Sequence, residues 1–345
     1  MTPRRVAILK PSALGDIVHA LPVLSALRAA WPEAHIAWVV NKSFEALLTG
    51  HPELSATIPF DRNAFRGNPL RAARYAMGFA NRLRREHFDL VIDLQGLLRT
   101  GLMCAGSGCP VRVGFAAARE GSRRFYTHRV EVHDADAIHA VDRYRRVVDF
   151  LGLPPSPPRF VVPVDPAEVA AVAGLLEAFP RPWVAVAAGA KWLTKRWPVS
   201  AFAALLNRAS THFGGTAILV GSPDDIALSQ DLAAQLRGPC LDLTGKTSLP
   251  RLVAVLKAAD AMLANDTGPL HLAAALGTPC VAPYTCTLVA RHGPYAQFPR
   301  AVATQVACAG SYLRLCPNGL QCFAELAPER LWEPLHAVLS SCPTR

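Results

Sequence analysis

Short apolar runs that alternate with helical patterns most constrain how this 345-residue chain can fold. In the first half, residues 6–9, 35–40 and 88–94 are largely apolar, which is typical of parallel strands buried on both faces. Amphipathic segments that favour helices separate these runs. Because parallel strands need a long crossover connection, usually a helix, this alternation predicts an α/β domain with a doubly wound parallel sheet.

A proline-rich segment separates this first series from a second one. Residues 153–159, Leu-Pro-Pro-Ser-Pro-Pro-Arg, hold four prolines in five positions and cannot continue a helix or a central strand. Similar alternation follows, so the sequence predicts two Rossmann-like domains, residues 1–155 and 156–345, that face each other across a cleft. The last predicted helix, residues 329–339, could pack back on the first domain. The other elements predicted in the second half are strands at 183–187, 216–220 and 261–264 and helices at 198–213, 223–237, 249–258 and 269–276.

The composition narrows the classes of partner and compartment. A net charge of +10 and a pI near 9.4 favour nucleic acid, a phosphorylated substrate or an anionic membrane surface as partner, although an ordinary enzyme can also be basic. Lys10, Pro11 and Asp16 interrupt the N-terminal apolar run, and no run reaches the ~20 residues that span a bilayer. Nine cysteines, an odd number, argue against a simple set of disulfides. We therefore expect a cytoplasmic protein.

The first polar turn begins directly after the strand at residues 6–9. It reads Lys10-Pro-Ser-Ala-Leu-Gly-Asp-Ile-Val-His-Ala-Leu-Pro and leads into a helix predicted from residue 17 to residue 30. A strand-to-helix turn presents side chains at the crevice where open α/β sheets bind ligands. Asp16 is the candidate general base in this turn, and Lys10, Ser12 and Gly15 are candidates for orienting its substrate.

A second polar turn, Asp93-Leu-Gln-Gly-Leu-Leu-Arg-Thr, follows the strand at 88–94. Its Gln95 and Arg99, together with Arg123 in a basic stretch further on, are further candidates for binding the same substrate. The predicted helix at 70–86 is dense in arginine and suits an anionic partner, or it is an ordinary solvated helix face.

Two turns of the second half carry groups suited to a phosphorylated ligand. Gly189-Ala-Lys-Trp-Leu-Thr-Lys-Arg places Lys191, Lys195 and Arg196 close together, which suits a diphosphate without a metal, or is a solvated basic loop. Asp266-Thr-Gly-Pro-Leu-His opens a helix whose free N–H groups could receive a phosphate or sugar hydroxyls, with Asp266 or Thr267 as its N-cap. The alternatives are a plain helix start and a core role for His271. Asp225, after a third strand, could bind a ribose.

Other patterns fit known sites less well. Thr244-Gly-Lys-Thr-Ser lacks the first glycine of a P-loop at the required spacing, so we interpret Ser248 as a helix cap. No G-x-G-x-x-G follows a strand, which disfavours a dinucleotide site. His133-Asp-Ala-Asp offers metal ligands, but such a charged run is usually solvated. Cys308, Cys316 and Cys322 lack a C-x-x-C pair and an evident fourth ligand, which favours buried thiols over a metal site.

Five stretches together resemble, in the family's order, the bacterial lipopolysaccharide heptosyltransferases of glycosyltransferase family 9, most of all the heptosyltransferase I type. They extend over nearly the whole chain: Lys10-Pro-Ser-Ala-Leu-Gly-Asp-Ile-Val-His-Ala-Leu-Pro, Asp93-Leu-Gln-Gly-Leu-Leu-Arg, Lys195-Arg-Trp-Pro, Asp242-Leu-Thr-Gly-Lys-Thr-Ser-Leu and Asn265-Asp-Thr-Gly-Pro-Leu-His.

The resemblance implies a GT-B fold and an inverting, metal-independent transfer without a cofactor. The donor would be ADP-L-glycero-β-D-manno-heptose, and the acceptor would be Kdo of Kdo2-lipid A at the cytoplasmic face of the inner membrane, with which the protein would associate peripherally. Asp16 falls on the family's catalytic base, Lys195 on its phosphate-binding lysine and Asp266 on its donor-sugar contact. The same donor motif includes Thr267, Gly268 and His271. We place Gly189, Lys191 and Asp225 on the donor side as well.

The resemblance leaves some alternatives open. Ser311 stands where heptosyltransferase II-type members have a second cysteine of a C-x-x-C pair, so a metal at the tail cysteines is not implied. The chain could transfer another sugar, or use the same donor site to modify a different glycan or a protein. A nucleic-acid-binding module is a remote alternative, because aromatic residues do not alternate with the basic ones as in a stacking platform. The oligomeric state is not indicated.

Overall fold

The chain divides into two compact units, Met1–Pro163 and Val164–Arg345. A computed structural model describes residues 2–133 and 137–342. The division falls beyond the proline-rich segment, because residues after those prolines still bind the first unit. His51 Nε2 lies 2.8 Å from the carbonyl oxygen of Val161, and Arg159 forms an ion pair with the buried Glu53.

The first unit contains one parallel sheet of six strands in the order β3-β2-β1-β4-β5-β6. The central strand β1 pairs on both sides: Val6 lies opposite Ile36 on β2 and opposite Leu90 on β4. Strands β3 and β6 were not predicted. The elements are β1 (Arg5–Leu9), α1 (Leu14–Ala30), β2 (His35–Asn41), β3 (Ala56–Phe60), α2 (Pro69–Arg85), β4 (Leu90–Asp93), α3 (Leu98–Gly106), β5 (Val111–Phe115), β6 (His128–Val130) and α4 (Ala140–Phe150).

Helix α1 covers the sheet and is buried along most of its length, from Ile17 to Leu27. It packs closely against α4, which places the two helices beside each other on one face of the sheet. The helix begins at Leu14, three residues before the predicted start at residue 17. Gly15, which was predicted in the turn before the helix, is therefore a buried residue of the first helical turn, and its role in binding substrate stays a prediction.

The second unit repeats the same topology with the order β12-β11-β10-β7-β8-β9. Its elements are α5 (Pro166–Leu176), β7 (Trp183–Ala187), α6 (Val199–Phe213), β8 (Thr216–Leu219), α7 (Ile226–Gln235), β9 (Cys240–Asp242), α8 (Leu249–Ala258), β10 (Ala261–Ala264), α9 (Gly268–Ala275), β11 (Cys280–Tyr284), α10 (Val289–His292), β12 (Ala301–Ala303), α11 (Gln321–Glu325) and α12 (Pro328–Ser340). The predictions missed α5, α10, α11 and the strands β9, β11 and β12. Ser248 caps α8 as predicted, accepting a hydrogen bond from the Arg251 N–H at 3.2 Å.

The last helix, α12, belongs to the second unit. Leu331, Leu335 and Leu339 are buried in the same core as Phe202 of α6 and Val281 of β11. The apolar face of this helix is therefore used within the second unit, and its predicted packing on the first domain stays a prediction. No helix in the described ranges is both long enough and apolar enough to cross a bilayer.

Candidate active site

Each sheet has one point where the strand order reverses, and the candidate residues gather there. In the first unit the reversal lies between β1 and β4, and in the second unit between β7 and β10. The loops that leave the carboxyl ends of such strand pairs form the ligand-binding crevice of open α/β sheets. Here the paired loops also contact each other: the Ser12 N–H donates to Gln95 Oε1 at 3.3 Å, and Lys195 Nζ lies 2.6 Å from Asp266 Oδ2.

Asp16 occupies the third position of α1. Its Oδ2 accepts a hydrogen bond from the Ala13 N–H at 3.2 Å, and its Oδ1 accepts one from the Tyr144 hydroxyl at 3.0 Å. Lys10 Nζ is 3.8 Å from the same Oδ1, and the Asp16 side chain is 41% exposed. A carboxylate that is held on the protein side and open to solvent can accept a proton from an approaching hydroxyl.

Lys10 lies beneath Asp16 and is almost wholly buried. Its ammonium donates to the Leu94 carbonyl at 3.2 Å and sits 4.7 Å from the centre of the Tyr144 ring. Burial disfavours the charged amine, but the nearby Asp16 carboxylate and Tyr144 outweigh burial and raise the pKa of Lys10 above its ordinary value. The amine is therefore a fixed positive charge next to the candidate base.

Asp93, at the end of β4, shapes the turn that presents Gln95. Its Oδ1 accepts hydrogen bonds from the N–H groups of Gln95 and Gly96 at 2.8 and 3.1 Å, and its Oδ2 accepts one from the Tyr126 hydroxyl at 2.7 Å. The carboxyl is fully buried, and burial outweighs these hydrogen bonds and raises its pKa. Because the Asp93 carboxyl is fully hydrogen-bonded and inaccessible to solvent, its role is structural. It holds the turn in a shape in which Gln95 faces Ser12.

Two arginines that were predicted to bind substrate do not join the groups around Asp16. The Arg99 guanidinium lies over the rings of Phe60 and Phe65, 5.7 Å from the centre of each. Arg123 is exposed in a short 3-10 helix, Ser122–Phe125. The structure thus brings Lys10 to Asp16 and Ser12 to Gln95, whereas Arg99 and Arg123 remain candidates at the surface.

In the second unit, Asp266 is the centre of a buried polar cluster. Its Oδ2 lies 2.6 Å from Lys195 Nζ and accepts a hydrogen bond from the Thr287 hydroxyl at 2.7 Å, and its Oδ1 lies 3.2 Å from His271 Nε2. Burial raises the pKa of this carboxyl, but His271 and Lys195 outweigh burial, so that the net shift is well below the ordinary value. Asp266 therefore stays ionised.

Of the two residues predicted as the N-cap of α9, the structure confirms Thr267. Thr267 takes the N-cap position, but its side chain makes no capping hydrogen bond, and the Asp266 carboxylate is used by the polar cluster instead. The helix starts at Gly268, with Pro269 in its first turn, where a missing N–H costs nothing. His271, one turn in, is buried and bonded to Asp266, so it is a core histidine and a member of this polar cluster at the same time.

The loop after β7 places only one of its three cations in this cluster. Lys195 pairs with Asp266 and lies 4.9 Å from the Trp192 ring. Arg196 Nε donates to the Ala190 carbonyl at 2.5 Å and so supports the loop itself, while Lys191 is exposed. Of the three cations that were predicted to lie close together at one site, only Lys195 therefore belongs to the polar cluster.

Gly189 and Asp225 meet where β7 and β8 end. A Cβ on Gly189 would lie 2.2 Å from Asp225 Oδ1, so this position leaves no room for a side chain. Ser222 holds the carboxylate, donating to Oδ2 from its N–H at 2.9 Å and from its hydroxyl at 2.6 Å. The close approach puts one carboxylate beside the start of the loop that carries Lys195.

Two side chains of these clusters were missed from the sequence. Tyr144 lies at a helix position whose sequence pattern also fits a residue of the hydrophobic core. Nothing in the local pattern distinguishes that core role from a role at the candidate site. Thr287 follows β11, a strand that was not predicted, and recognising the apolar residues 280–284 as a strand would have drawn attention to the polar residues after it.

The tail cysteines lie around one small cavity. Cys308, Cys316 and Cys322 line it together with Cys286, which follows β11. Cys322 is buried, but Cys308 and Cys316 are only half-buried, so the expectation of buried thiols holds for one of the three. Burial is the main reason that the pKa of Cys322 is raised, to about 11.

No group of three or more potential metal ligands in ligating geometry occurs within residues 2–133 and 137–342. Asp134 and Asp136 of the His133 run lie outside these described residues.

The whole chain shares its fold with solved glycosyltransferases. The structure of the Escherichia coli heptosyltransferase WaaC with ADP superimposes with a TM-score of 0.75 at 24% identity, covering 97% of this chain and 99% of that one. Two doubly wound parallel sheets, one in each unit, define this protein as a member of the GT-B fold class.

Sequence comparison identifies the family. A model of glycosyltransferase family 9 (heptosyltransferase) matches residues 76–320, which is more than half of the chain. The lipopolysaccharide core heptosyltransferase OpsX of Haemophilus influenzae is 24% identical over 85% of this chain and 82% of its own length. The lipopolysaccharide heptosyltransferase 1 of Pseudomonas aeruginosa is 29% identical over 97% of this chain and 98% of its own. The chain belongs to glycosyltransferase family 9, the heptosyltransferases.

Proposed function

We propose that this heptosyltransferase transfers heptose from ADP-L-glycero-β-D-manno-heptose to a Kdo residue of the lipopolysaccharide inner core, as on Kdo2-lipid A, with inversion and without a metal. The observation that carries the proposal is the pair of clusters at the two switch points. One offers a half-exposed carboxylate, Asp16, and the other a lysine bonded to a buried carboxylate, Lys195 and Asp266.

Asp16 acts as the general base in this proposal. The acceptor hydroxyl attacks the anomeric carbon of the donor, its O–H bond breaks, and its proton passes to the Asp16 carboxylate. The bond from the anomeric carbon to the phosphate oxygen breaks at the same time, and the diphosphate leaves with the electron pair. Attack from the face opposite the leaving group inverts the anomeric centre.

The second unit binds the donor in this proposal. Lys195 supplies positive charge to the departing diphosphate, which is the role that a divalent cation would otherwise fill. The positive end of the α9 helix dipole lies next to Asp266. Gly189 leaves room for the Asp225 carboxylate, which could bind the ribose. Two findings support this choice of donor and acceptor: the ADP in the solved Escherichia coli heptosyltransferase, and the names of the curated relatives, which are lipopolysaccharide heptosyltransferases.

We further propose that the first unit docks on the cytoplasmic face of the inner membrane. Residues 62–85 contain seven arginines and no acidic residue, so they would be attracted to anionic lipid. Within this segment Leu70 is 79% exposed and Met77 is 61% exposed. Arginines interspersed with exposed apolar side chains are typical of helices that lie in the membrane interface.

The test of the proposed reaction is a direct transfer assay. The purified protein with ADP-heptose and Kdo2-lipid A should yield a lipid product heavier by one heptose, detected by mass spectrometry. The Asp16→Ala variant should lose activity by about 10²–10⁴-fold while its affinity for ADP is retained, because the base does not touch the nucleotide.

The alternatives define the outcomes that would contradict the proposal. Heptose added only to a protein or to another glycan would replace the acceptor, and turnover only with a different ADP-sugar would replace the donor. Wild-type turnover by Asp16→Ala would exclude Asp16 as the base. A salt-sensitive gel shift with nucleic acid, without any transfer, would revive the remote alternative of a nucleic-acid-binding module.

A further inference from the structure

The Tyr144 hydroxyl makes a contact that the transfer chemistry outlined above does not use. Tyr144 lies on α4 and is only 2% exposed, yet its hydroxyl reaches Asp16 Oδ1 on the neighbouring helix α1 at 3.0 Å. The phenol can donate to only one acceptor at a time. Its proton is therefore directed at the very carboxylate that is open to solvent on its other side.

Lys10 is the second buried residue that approaches the Asp16 carboxylate. Its ammonium is 3.8 Å from Asp16 Oδ1 and 4.7 Å from the Tyr144 ring, and the Leu94 carbonyl holds it in place. Tyr144 and Lys10 thus approach the same carboxylate oxygen from two different elements, α4 and the loop after β1. Both are buried, so their positions are set by the fold.

Other charged or titratable groups surround Tyr144 and the packed helices. The Arg143 guanidinium lies 5.2 Å from the Tyr144 ring, and its charge acts on both Tyr144 and Lys10. His19 on α1 and His139 at the start of α4 contact each other edge to face at 5.1 Å. Removing the Tyr144 hydroxyl therefore leaves positive charge near Asp16 in place and deletes one directed donor.

We infer that Tyr144, supported by Lys10, is a positioning residue that orients the Asp16 carboxylate and sets the lowest pH at which Asp16 can act as a base. This inference rests on the proposed function, in which Asp16 takes the acceptor proton. A hydrogen bond donated to the ionised carboxylate favours the ionised form, so the base remains available at lower pH. The bond to Oδ1 also restricts rotation of the carboxylate, which keeps the base in line with an acceptor hydroxyl.

Tyr144 itself keeps its proton throughout the reaction. Burial, followed by the charge of Asp16, raises the pKa of its hydroxyl, so the phenol remains neutral. The transferred proton ends on Asp16 and none leaves Tyr144. The residue therefore acts through Asp16 and does not take part in the bond changes.

The test is the pH dependence of kcat/KM for the Tyr144→Phe variant, which deletes only the hydroxyl. We expect the acid limb of the profile to move to higher pH by about one unit, because the ionised form of Asp16 loses a donor. On the plateau, kcat should fall by about tenfold through lost orientation. The KM for the nucleotide sugar and the affinity for ADP should stay within about twofold. Should Tyr144→Phe fail to fold, Lys10→Met gives a second measurement with the limb expected to move in the same direction.

Tyr126→Phe is the matched control. Tyr126 is also a buried tyrosine of the first unit, and its hydroxyl donates to the buried Asp93 at 2.7 Å. This variant loses the same group from a Tyr–Asp pair, so it reports the cost to the fold alone. We expect it to lower the melting temperature without moving the acid limb.

The outcomes separate this inference from the proposed function. If Asp16→Ala abolishes transfer and the acid limb of Tyr144→Phe coincides with that of the wild type, the inference is overturned and the proposed function stands. If the limb moves equally in Tyr126→Phe, a general effect on the fold replaces the inference. If the wild type does not transfer heptose, or Asp16→Ala does so at the wild-type rate, the proposed function fails.

Discussion

Lys195 and Asp266 form a short, buried ion pair in the candidate donor site. Both side chains are largely buried, at 19% and 6% exposed, and their atoms are 2.6 Å apart. Removing one member of a buried pair leaves the other charge unpaired and costs far more than the pair contributes to stability when it is intact. Effects on activity and on folding are therefore mixed in any single substitution at this pair.

We predict that Lys195→Met lowers kcat/KM by about 10²–10³-fold, because the diphosphate loses its positive partner. The variant should also unfold more easily, since Asp266 is left buried without its lysine. The double variant Lys195→Met with Asp266→Asn should regain stability without regaining activity. Steady-state kinetics and thermal melts measure the two effects, and Lys257→Met, at an exposed lysine of α8, is the control. A Lys195→Met enzyme with wild-type kinetics would contradict the assignment.

At the scale of elements, two glycines differ in whether the structure leaves room for a side chain in their place. Gly189 has Asp225 where its Cβ would lie, whereas a Cβ on Gly174, inside α5, would meet no atom within 4 Å. A glycine in an open helix position costs up to about 1 kcal/mol relative to alanine. A glycine that makes room for a neighbouring carboxylate cannot be replaced so easily.

We predict that Gly189→Ala weakens ADP binding by about tenfold, because the new methyl group displaces Asp225 from the position in which Ser222 holds it. Gly174→Ala should raise the melting temperature and leave ADP affinity unchanged. Calorimetric titration with ADP and thermal melts measure both variants. Equal ADP affinity in Gly189→Ala and the wild type would show that the Asp225 position does not matter for the nucleotide.

Most strands and helices could be predicted at the level of elements, and the exceptions have physical reasons. Strand β3 contains Pro59 and β11 contains Pro283, and proline argues against a strand in a single sequence. Strands β6 and β9 are three residues long and lie at the edges of their sheets. Helix α5 did carry a start signal, since Asp165 accepts a hydrogen bond from the Ala167 N–H and Pro166 follows it.

The candidate site was less predictable than the elements. Asp16, Lys195 and Asp266 each come shortly after a strand, Asp16 in the first turn of α1, so the topology places each one at the switch point of its own sheet. The partner of Asp16 is 128 positions away, on a helix face that otherwise only fills the core, and such a pairing leaves no local trace. The same is true of Thr287, which donates a hydrogen bond to Asp266. It follows strand β11, and the proline in that strand argued against predicting the strand.

At the scale of the whole molecule, the charge of +10 is unevenly placed along the chain. The arginine-rich segment 62–85 lies in the first unit, around α2, whose buried residues are only Phe79 and Leu83. Most of the helix surface is therefore available for contact with another surface. Attraction of arginine to anionic lipid is worth about 1 kcal/mol per residue and decreases as salt is added.

We predict that the protein binds vesicles that contain phosphatidylglycerol and that the triple change Arg71→Gln, Arg74→Gln and Arg82→Gln weakens this binding by about 100-fold. Cosedimentation at low and high salt measures it, with purely zwitterionic vesicles as the control. Leu70→Ser with Met77→Ser should weaken the binding that remains at high salt. Binding that is indifferent to salt and to these arginines would contradict a membrane-docking role for α2.

The repeated strand order has a consequence for how such enzymes diversify. Each of the two clusters is assembled by contacts within one half of the chain, Asp16 with Lys10 and Tyr144 in one and Asp266 with Lys195 and His271 in the other. Under the proposed assignment of the acceptor to the first half and the nucleotide sugar to the second, substitutions in one half could change one substrate and leave the contacts for the other intact. The repeated architecture would then let the two substrate specificities evolve separately.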